Sequence, residues 1–199
     1  MSKIQRLTFL GYADAKEADE LFKTVFEVAK LCAQKGYTIV NGGGPGVMKA
    51  STLGAKSVGG KTIGATFFPK DIPVFEGRDE TNTVDKLIIE NNYVERTLKL
   101  LELGQVFVVF KGGTGTISEF AMAWGLARLY FGHHKPLILY GNFWHDIIGA
   151  FIKGMYIKPE ARRVFKIVNS LQAVIEAIGS FQEEINRRKH KHQRQIFSI

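Results

Sequence analysis

Residues 105–120 read Gln-Val-Phe-Val-Val-Phe-Lys-Gly-Gly-Thr-Gly-Thr-Ile-Ser-Glu-Phe. The β-branched and aromatic run from Val106 to Phe110 predicts a buried strand, which the following glycines end. Because glycine has no Cβ, the chain can turn sharply there and approach a ligand closely. The apolar segment from Thr116 to Phe131 predicts a helix whose N-terminus faces this glycine loop. Unpaired backbone N–H groups and the positive end of the helix dipole make the loop a candidate anion site, most simply for phosphate.

Glu119 lies close to the predicted start of this helix, and two interpretations of it are open. In the first, Thr116 is the N-cap and forms a capping box with Glu119, in which each side chain accepts from the other residue's backbone N–H. In the second, the Glu119 carboxylate points at the molecule that carries the phosphate. The Thr-x-x-Glu spacing favours the cap, whereas the glycine loop favours the functional carboxylate.

A second glycine-rich segment, Asn41-Gly-Gly-Gly-Pro-Gly-Val-Met48, also follows a predicted strand and precedes a predicted helix. Strand and helix alternate along the chain, which predicts an α/β fold with a doubly wound parallel sheet, helices on both faces and right-handed crossovers. Ligands of such sheets bind outside the carboxyl ends of the strands, at the switch point. Both glycine loops leave carboxyl ends, so we expect them to meet at one pocket.

The other predicted elements follow from apolar periodicity and from glycine and proline breaks. The predicted strands are 7–10, 37–40, 61–68, 87–89, 136–140 and 165–168, and the predicted helices are 15–35, a short one ending near 57, 93–103, 143–153 and one from 171 onward. Residues 69–85 are predicted to form a loop that covers a site.

Length and composition predict one globular domain. The 199 residues are 45% hydrophobic, enough to bury a core. We assign residues 1–180 to an α/β domain and 181–199 to a basic tail. The sequence shows neither a basic start followed by an apolar stretch nor an apolar run near 18 residues, which predicts a soluble cytoplasmic protein that does not enter membranes. The lone Cys32 lies among apolar residues at helical spacing and is predicted to be a core thiol.

The formal net charge of +8 is consistent with a nucleic acid or a phosphorylated small molecule as partner. Its distribution does not favour nucleic acid, because the basic residues outside the tail form no evident stripe. The tail itself carries five basic residues against two acidic ones, Glu183 and Glu184, and is predicted to be a solvated, partly frayed end. The five are Arg187, Arg188, Lys189, Lys191 and Arg194.

Neither glycine loop matches a dinucleotide or nucleoside triphosphate motif. In Gly-x-Gly-x-x-Gly the third glycine is replaced by Val47 in one loop and by Ser118 in the other, and no Gly-x-x-x-x-Gly-Lys-Ser/Thr occurs. The five histidines are scattered or adjacent in a turn and are predicted to lie on the surface, His133 and His134 included. We therefore expect no cofactor, no metal and a site of monophosphate size.

The motifs also occur in a recognisable order. Gly42-Gly-Gly44 is followed by Gly46-Val-Met48, by Glu95-Arg96, and by Gly112-Gly-Thr-Gly-Thr116 with Glu119. In this order and spacing the chain resembles the LONELY GUY (LOG) family of cytokinin riboside 5'-monophosphate phosphoribohydrolases, over roughly residues 7–178.

The resemblance implies a Rossmann-like fold, a homodimer, and hydrolysis of a nucleoside 5'-monophosphate to free base and ribose 5-phosphate. It also implies roles for ten residues: phosphate binding by Gly112, Gly113, Thr114, Gly115 and Thr116, nucleotide binding by Gly43, Gly44 and Met48, and catalysis by Arg96 and Glu119. A carboxylate near the ribose stabilises the positive charge that develops there. Arg96 does not give up its proton, so it would position substrate or Glu119. The alternative for Arg96 is a solvated helix face, beside a weak ion pair between Glu95 and Lys99.

Two departures from the family pattern leave a second function open. Lys111 stands where the family has proline, and Tyr93-Val-Glu-Arg-Thr97 replaces its Met-His-Glu-Arg-Lys. A non-catalytic relative, such as the molybdenum-cofactor carrier proteins of this superfamily, could use the same loops. Lys111 itself would either reinforce phosphate binding or lie in solvent.

The helix predicted from Thr116 is apolar nearly all round, which is typical of a buried helix. A single domain does not readily cover every side of it, so we expect a homodimer interface there.

Overall fold

The computed structural model describes residues 3–69 and 78–196, with side chains up to Arg187. Within these ranges seven strands form one sheet: β1 (Arg6–Leu10), β2 (Thr38–Asn41), β3 (Thr62–Phe67), β4 (Lys86–Glu90), β5 (Val106–Val109), β6 (Leu137–Tyr140) and β7 (Phe165–Val168). The helices are α1 (Glu20–Gln34), α2 (Val47–Lys56), α3 (Tyr93–Leu103), α4 (Thr114–Leu129), α5 (Phe143–Gly154) and α6 (Leu171–Ile196), with a 3-10 helix at Pro159–Arg163. No helix in these described ranges is long and apolar enough to cross a membrane.

The strands run in the order β4-β3-β2-β1-β5-β6-β7, and every neighbouring pair is parallel. The chain builds outward from β1 to β4 and then returns to the other side of β1 with β5. This confirms the predicted doubly wound parallel sheet and its Rossmann-like class. The switch point lies between β1 and β5, where Leu10 is in register with Val109. The carboxyl ends of these two strands therefore lie side by side.

Helices cover both faces of the sheet, as predicted. One apolar core lies under α1, α2 and α6, and the other lies under α3, α4 and α5. Strand β5 contributes side chains to both cores, because successive side chains of a strand point to opposite faces of the sheet. Val106 and Val108 lie in the first core, and Phe107 and Val109 lie in the second. Cys32 is buried in the first core, so its predicted role as a core thiol is confirmed, and burial raises the pKa of the Cys32 thiol to about 12.

Helix α1 begins at Glu20, five residues later than predicted. Residues 16–19 instead form a turn, in which the Asp19 carboxylate accepts from the Lys16 backbone N–H at 2.8 Å. At the other end of the chain, α6 continues across position 180, and Phe181 is buried in the core at 2% exposure. The division into a domain and a tail stays a prediction. Of the predicted loop 69–85, residues 70–77 lie outside the described residues.

The surface prediction for His134 is wrong. This side chain is buried at 5% exposure and stacks on Phe131, with ring centroids 5.5 Å apart. Its Nδ1 accepts from the Gly132 backbone N–H at 3.3 Å. The His134 ring therefore stabilises the turn between α4 and β6. His133 and His145 are exposed, as expected.

Candidate functional site

A cleft of about 560 Å³ opens at the switch point, beyond the carboxyl ends of β1, β2 and β5. Residues of both glycine loops, of the segment after β1 and of α3 line it: Phe9, Leu10, Gly11, Tyr12, Ala13, Gly42, Met48, Tyr93, Arg96, Gly113, Thr114, Gly115, Thr116, Ser118 and Glu119. The two glycine loops meet at one cleft, as the sequence predicted. Of the ten predicted site residues, seven line it, whereas Gly43, Gly44 and Gly112 do not.

Helix α4 begins at Thr114 with Gly113 as its N-cap, two residues before the predicted start. Its first turn holds no acidic residue and no side-chain cap, because glycine offers none. Glu119 therefore lies in the second turn, too far along for a capping box. The capping-box interpretation, with Thr116 as N-cap, is wrong. The second interpretation stays a prediction. The Glu119 carboxylate pairs with Arg96, and both residues line the cleft.

Arg96 and Glu119 form a buried ion pair at the base of the cleft. The two residues are 5% and 6% exposed, and Arg96 Nη1 donates to Glu119 Oε1. Arg96 Nε also donates to the Ala65 carbonyl at 3.2 Å, and its Nη2 lies 3.8 Å from Met48 Sδ. The guanidinium is thus held between α3, β3, α2 and α4.

The alternative of Arg96 on a solvated helix face is wrong. Helix α3 does have a solvated face, and Glu95 and Lys99 lie on it. Each of them contacts other residues instead of its predicted partner. Glu95 accepts from Asn91 and Asn92 at the helix start, and Lys99 Nζ donates to Glu102 at 2.7 Å. Arg96 points the opposite way, into the protein, because α3 turns that side of its surface toward β3.

Burial raises the pKa of the Glu119 carboxyl above its usual range, and the neighbouring Arg96 guanidinium opposes this rise. The Arg96 guanidinium therefore favours the ionised form of Glu119, whereas burial disfavours it. A carboxylate in this setting responds strongly to a second positive charge in the cleft, since little water screens the interaction.

The N-terminal turn of α4 forms one wall of the cleft. The first N–H groups of a helix have no partner within the helix, and the dipole adds positive potential there. Thr114 and Thr116 bring two hydroxyls to the same wall. Gly112 lies behind it: a Cβ on Gly112 would lie 2.1 Å from Thr116 Oγ1, so glycine is what allows the loop to close against the helix. The wall has the donors that a phosphate needs.

Lys111 does not belong to this wall. Its side chain is exposed, and its Nζ lies 5.9 Å from the centre of the Phe143 ring. Of the two predictions for Lys111, the position in solvent is confirmed. Among the described residues, no three histidine, cysteine or acidic side chains come together as a metal site requires.

The first glycine loop is held by side chains on both sides. Asn41 donates from Nδ2 to Ser51 and Thr52 of α2, and its Oδ1 accepts from the Gly43 N–H at 2.9 Å. From the far side, the Asp79 N–H donates to the Gly43 carbonyl at 3.1 Å, and Asn82 Nδ2 donates to the Gly44 carbonyl at 2.7 Å. Gly43 and Gly44 are therefore occupied with supporting the loop, and Gly42 faces the cleft.

Sequence reasoning missed the segment after β1. The Tyr12 N–H donates to the Lys111 carbonyl at 3.1 Å, and the Tyr12 carbonyl accepts from the Val47 N–H at 2.9 Å. Tyr12 thus joins the two glycine loops through its backbone. Gly46, at φ +60°, allows this approach, because a Cβ there would lie 2.4 Å from the Tyr12 carbonyl oxygen. The available signal was Gly11, a glycine directly after a strand.

Gly42→Ala is expected to disturb the ion pair. An added Cβ would lie 1.8 Å from Arg96 Nη2 and 2.5 Å from Met48 Sδ, and Arg96 is held too tightly by its other partners to move without cost. Overpacking of this kind costs about 1–3 kcal/mol of unfolding free energy, measurable by urea unfolding. The matched control is Gly149→Ala in α5, where a Cβ meets open space. Equal stability of both variants would contradict the prediction.

The fold and the cleft define a Rossmann-like α/β protein with two glycine loops and a buried Arg–Glu pair at its switch point. The chain belongs to the SLOG cluster4 family, whose model matches residues 6–151. The resemblance to the LONELY GUY family that the motifs indicated is thereby confirmed at the level of the family.

Relatives and solved structures agree with this assignment. The chain is 30% identical over 165 residues to a Mycobacterium tuberculosis protein named cytokinin riboside 5'-monophosphate phosphoribohydrolase, which covers 79% of this chain and 85% of that protein. The molybdenum cofactor binding protein of Rippkaea orientalis superposes with a TM-score of 0.63 at 25% identity, covering 91% of this chain and 98% of that one. The Moco carrier protein of Chlamydomonas reinhardtii, at 22% identity and a TM-score of 0.60 over 89% and 97% of the two chains, shares the fold.

Proposed function

We propose that the protein is a nucleoside 5'-monophosphate N-glycosidase, a hydrolase that releases free base and ribose 5-phosphate, of the cytokinin-activating type. The observation that carries this proposal is the buried Arg96–Glu119 pair, which faces the same cleft as the N-terminal turn of α4. The Mycobacterium tuberculosis relative, named for this activity, supports it. A cleft of about 560 Å³ is of the size that holds a small-molecule ligand such as a nucleotide.

In the proposed complex the 5'-phosphate binds at the N-terminal turn of α4. Backbone N–H groups and the helix dipole neutralise its charge, and the hydroxyls of Thr114 and Thr116 add donors. The helix rises about 1.5 Å per residue, so Glu119 lies about 7 Å further along the axis than Thr114. This spacing supports a position of the carboxylate near the sugar of a nucleotide whose phosphate occupies the wall.

The chemical step follows from that position. The bond between the sugar C1' and the base nitrogen breaks, and its electron pair leaves with the base. Positive charge then builds on the ribose, where the fixed Glu119 carboxylate stabilises it and orients the attacking water. The water oxygen bonds to C1', and a proton ends on the base. Arg96 is a positioning residue in this step, because its charge favours the ionised form of Glu119 and its hydrogen bond aims the carboxylate.

The test is to incubate the protein with a panel of nucleoside 5'-monophosphates, including AMP and cytokinin riboside 5'-monophosphates, and to measure free base and ribose 5-phosphate. The matching nucleosides without phosphate are the control. Because the phosphate anchors the sugar against Glu119, we expect release from the monophosphates and little from the nucleosides. Equal release from both, or none from any nucleotide, would overturn the proposal.

A second candidate is a carrier or sensor that binds a phosphorylated ligand without cleaving it. Val94 and Thr97 occupy two positions where the resembled motif has histidine and lysine, so α3 brings fewer charged groups to the region. The Rippkaea orientalis neighbour, named a molybdenum cofactor binding protein, supports this second candidate. The carrier predicts saturable binding of a nucleotide or of the cofactor, with no product after long incubation.

We also propose that the protein is a homodimer, as the apolar character of α4 predicted. One side of α4 packs on the sheet, whereas Leu126 and the C-cap residue Tyr130 are exposed. Leu98 of α3 lies beside Leu126 and Tyr130 in an apolar groove of about 300 Å³. A second copy of the same face would bury this surface, since apolar faces are the usual contacts of homodimers.

Sedimentation over a range of concentrations is expected to give a dimer mass. Leu98→Glu should shift the mass toward monomer, because it places a charge in the apolar groove. Met155→Glu, an exposed position on the loop after α5, is the control and should stay dimeric. A monomer mass that does not change with concentration would exclude the dimer. A cytoplasmic location stays a prediction.

A further inference from the structure

Two hydroxyl side chains meet on the wall of the cleft between α3 and α4. Tyr93 Oη lies 2.6 Å from Ser118 Oγ, and both residues line the cleft. The Tyr93 ring is fixed by its neighbours: Phe67 meets it edge-on with centroids 6.1 Å apart, and the Arg96 guanidinium lies 6.0 Å from its centre. The ring contacts and the contact with Ser118 therefore give the phenolic oxygen a defined position on the cleft wall.

The direction of these hydrogen bonds follows from a third atom. Ser118 Oγ also lies 2.9 Å from the Gly115 carbonyl oxygen. A carbonyl can only accept, so Ser118 must donate its single proton to Gly115. The proton between the two hydroxyls then comes from Tyr93. With that proton committed, the Tyr93 oxygen presents lone pairs to the cleft and no donor.

The location of this acceptor indicates which part of a ligand it meets. A Cβ built on Gly115 would lie 3.8 Å from Tyr93 Oη, so the oxygen sits next to the N-terminal turn of α4. Tyr93 and Arg96 belong to the same helix, and both line the cleft. In a nucleoside 5'-monophosphate the group joined directly to the phosphate is the sugar, and its free hydroxyls are donors.

We propose that Tyr93 is a specificity-determining residue that accepts a hydrogen bond from one ribose hydroxyl of the substrate and so favours substrates that carry this hydroxyl. This inference rests on the proposed nucleotide site. It concerns a feature particular to this chain, because methionine stands at this position in the motif that the sequence resembles. A thioether sulfur is only a weak acceptor and cannot orient a hydroxyl in the same way.

The experiment compares wild-type protein and Tyr93→Phe on three substrates: AMP, 2'-deoxy-AMP and 3'-deoxy-AMP. The variant keeps the ring and removes the acceptor. We expect kcat/KM for AMP to fall about tenfold in Tyr93→Phe, as for loss of one hydrogen bond, and kcat/KM for one of the two deoxy analogues to stay unchanged. For each substrate, kcat/KM of the variant is divided by kcat/KM of the wild type. The different intrinsic reactivity of the deoxyribose analogues cancels in this ratio, because it affects both proteins equally. Tyr156→Phe, a fully exposed tyrosine, is the matched control, and thermal unfolding checks that both variants fold.

A loss of the same size on all three substrates would overturn the inference, because it would show that Tyr93 acts only through the architecture of the cleft. So would unchanged kinetics on all three. If the wild type binds nucleotides but releases no base, the proposed hydrolase fails, and the same cycle is measured on dissociation constants. If Tyr93→Phe then weakens the binding of AMP and of only one deoxy analogue, the result supports the acceptor role of Tyr93 independently of the proposed hydrolase activity. Absence of any nucleotide binding would overturn both.

Discussion

Glu119→Gln is expected to reduce base release by about 100- to 1,000-fold, which is the usual loss when one preorganised electrostatic group is removed from a reacting centre. Gln keeps the size of the side chain and an oxygen that can accept from Arg96 Nη1. It loses the negative charge that would stabilise the ribosyl cation. Nucleotide binding should change little, because the phosphate is held by the N-terminal turn of α4 and not by Glu119.

Single-turnover release of base and equilibrium binding of AMP together test this. Glu27→Gln on the exposed surface of α1 is the matched control, since it makes the same chemical change far from the cleft. Full turnover in Glu119→Gln would remove the proposed role of the carboxylate. The pH profile gives a second readout: burial raises the pKa of Glu119, so activity should fall on acidification at a higher pH than an exposed glutamate would give.

Arg96→Ala is expected to lower the free energy of unfolding by about 3–5 kcal/mol at neutral pH, because it leaves the buried Glu119 carboxylate without its counter-ion. It also removes the donor to the Ala65 carbonyl. Base release should fall as well, since the carboxylate loses both its alignment and the cation that favours its ionised form.

The stability loss should depend on pH in a defined direction. Removal of Arg96 raises the folded-state pKa of Glu119 further above its unfolded value, so the folded state binds the proton more tightly. Part of the lost stability should therefore return as the pH falls through the folded pKa, and disappear again as the pH rises. Urea unfolding at several pH values measures this, with Arg162→Ala at an exposed position as control. If Arg96→Ala and Arg162→Ala unfold alike at every pH, the ion pair does not have the energetic role assigned to it.

The sequence indicated Glu119 and Arg96 as candidate site residues for different reasons. Glu119 was noticed through its distance from a glycine loop, but local spacing also fitted a helix cap. The cap fails because Gly113 and Thr114 already begin the helix, which moves Glu119 into the second turn. The predicted start at Thr116 and the observed start at Thr114 differ by two residues. Local propensity rarely locates helix ends to better than two residues.

Arg96 shows the converse case. Its neighbours Glu95 and Lys99 read as an ordinary solvated helix face, and the motif resemblance alone favoured a functional role. The structure buries Arg96 because α3 packs on β3, where the Ala65 carbonyl and Met48 sulfur receive the guanidinium. No spacing within α3 reveals that contact, since its partners are 31 and 48 residues away along the chain.

The sequence by itself determined the alternation of strands and helices, the bounds of α3 and β7, and the position of both glycine loops, because these depend on side-chain periodicity and on glycine's missing Cβ, which are local properties. Only the tertiary structure decided that Tyr12 joins the two loops, that the Tyr93 and Ser118 hydroxyls meet, and that Arg96 pairs with Glu119. These contacts join distant segments, and their geometry exists only after parallel strands have placed their carboxyl ends side by side.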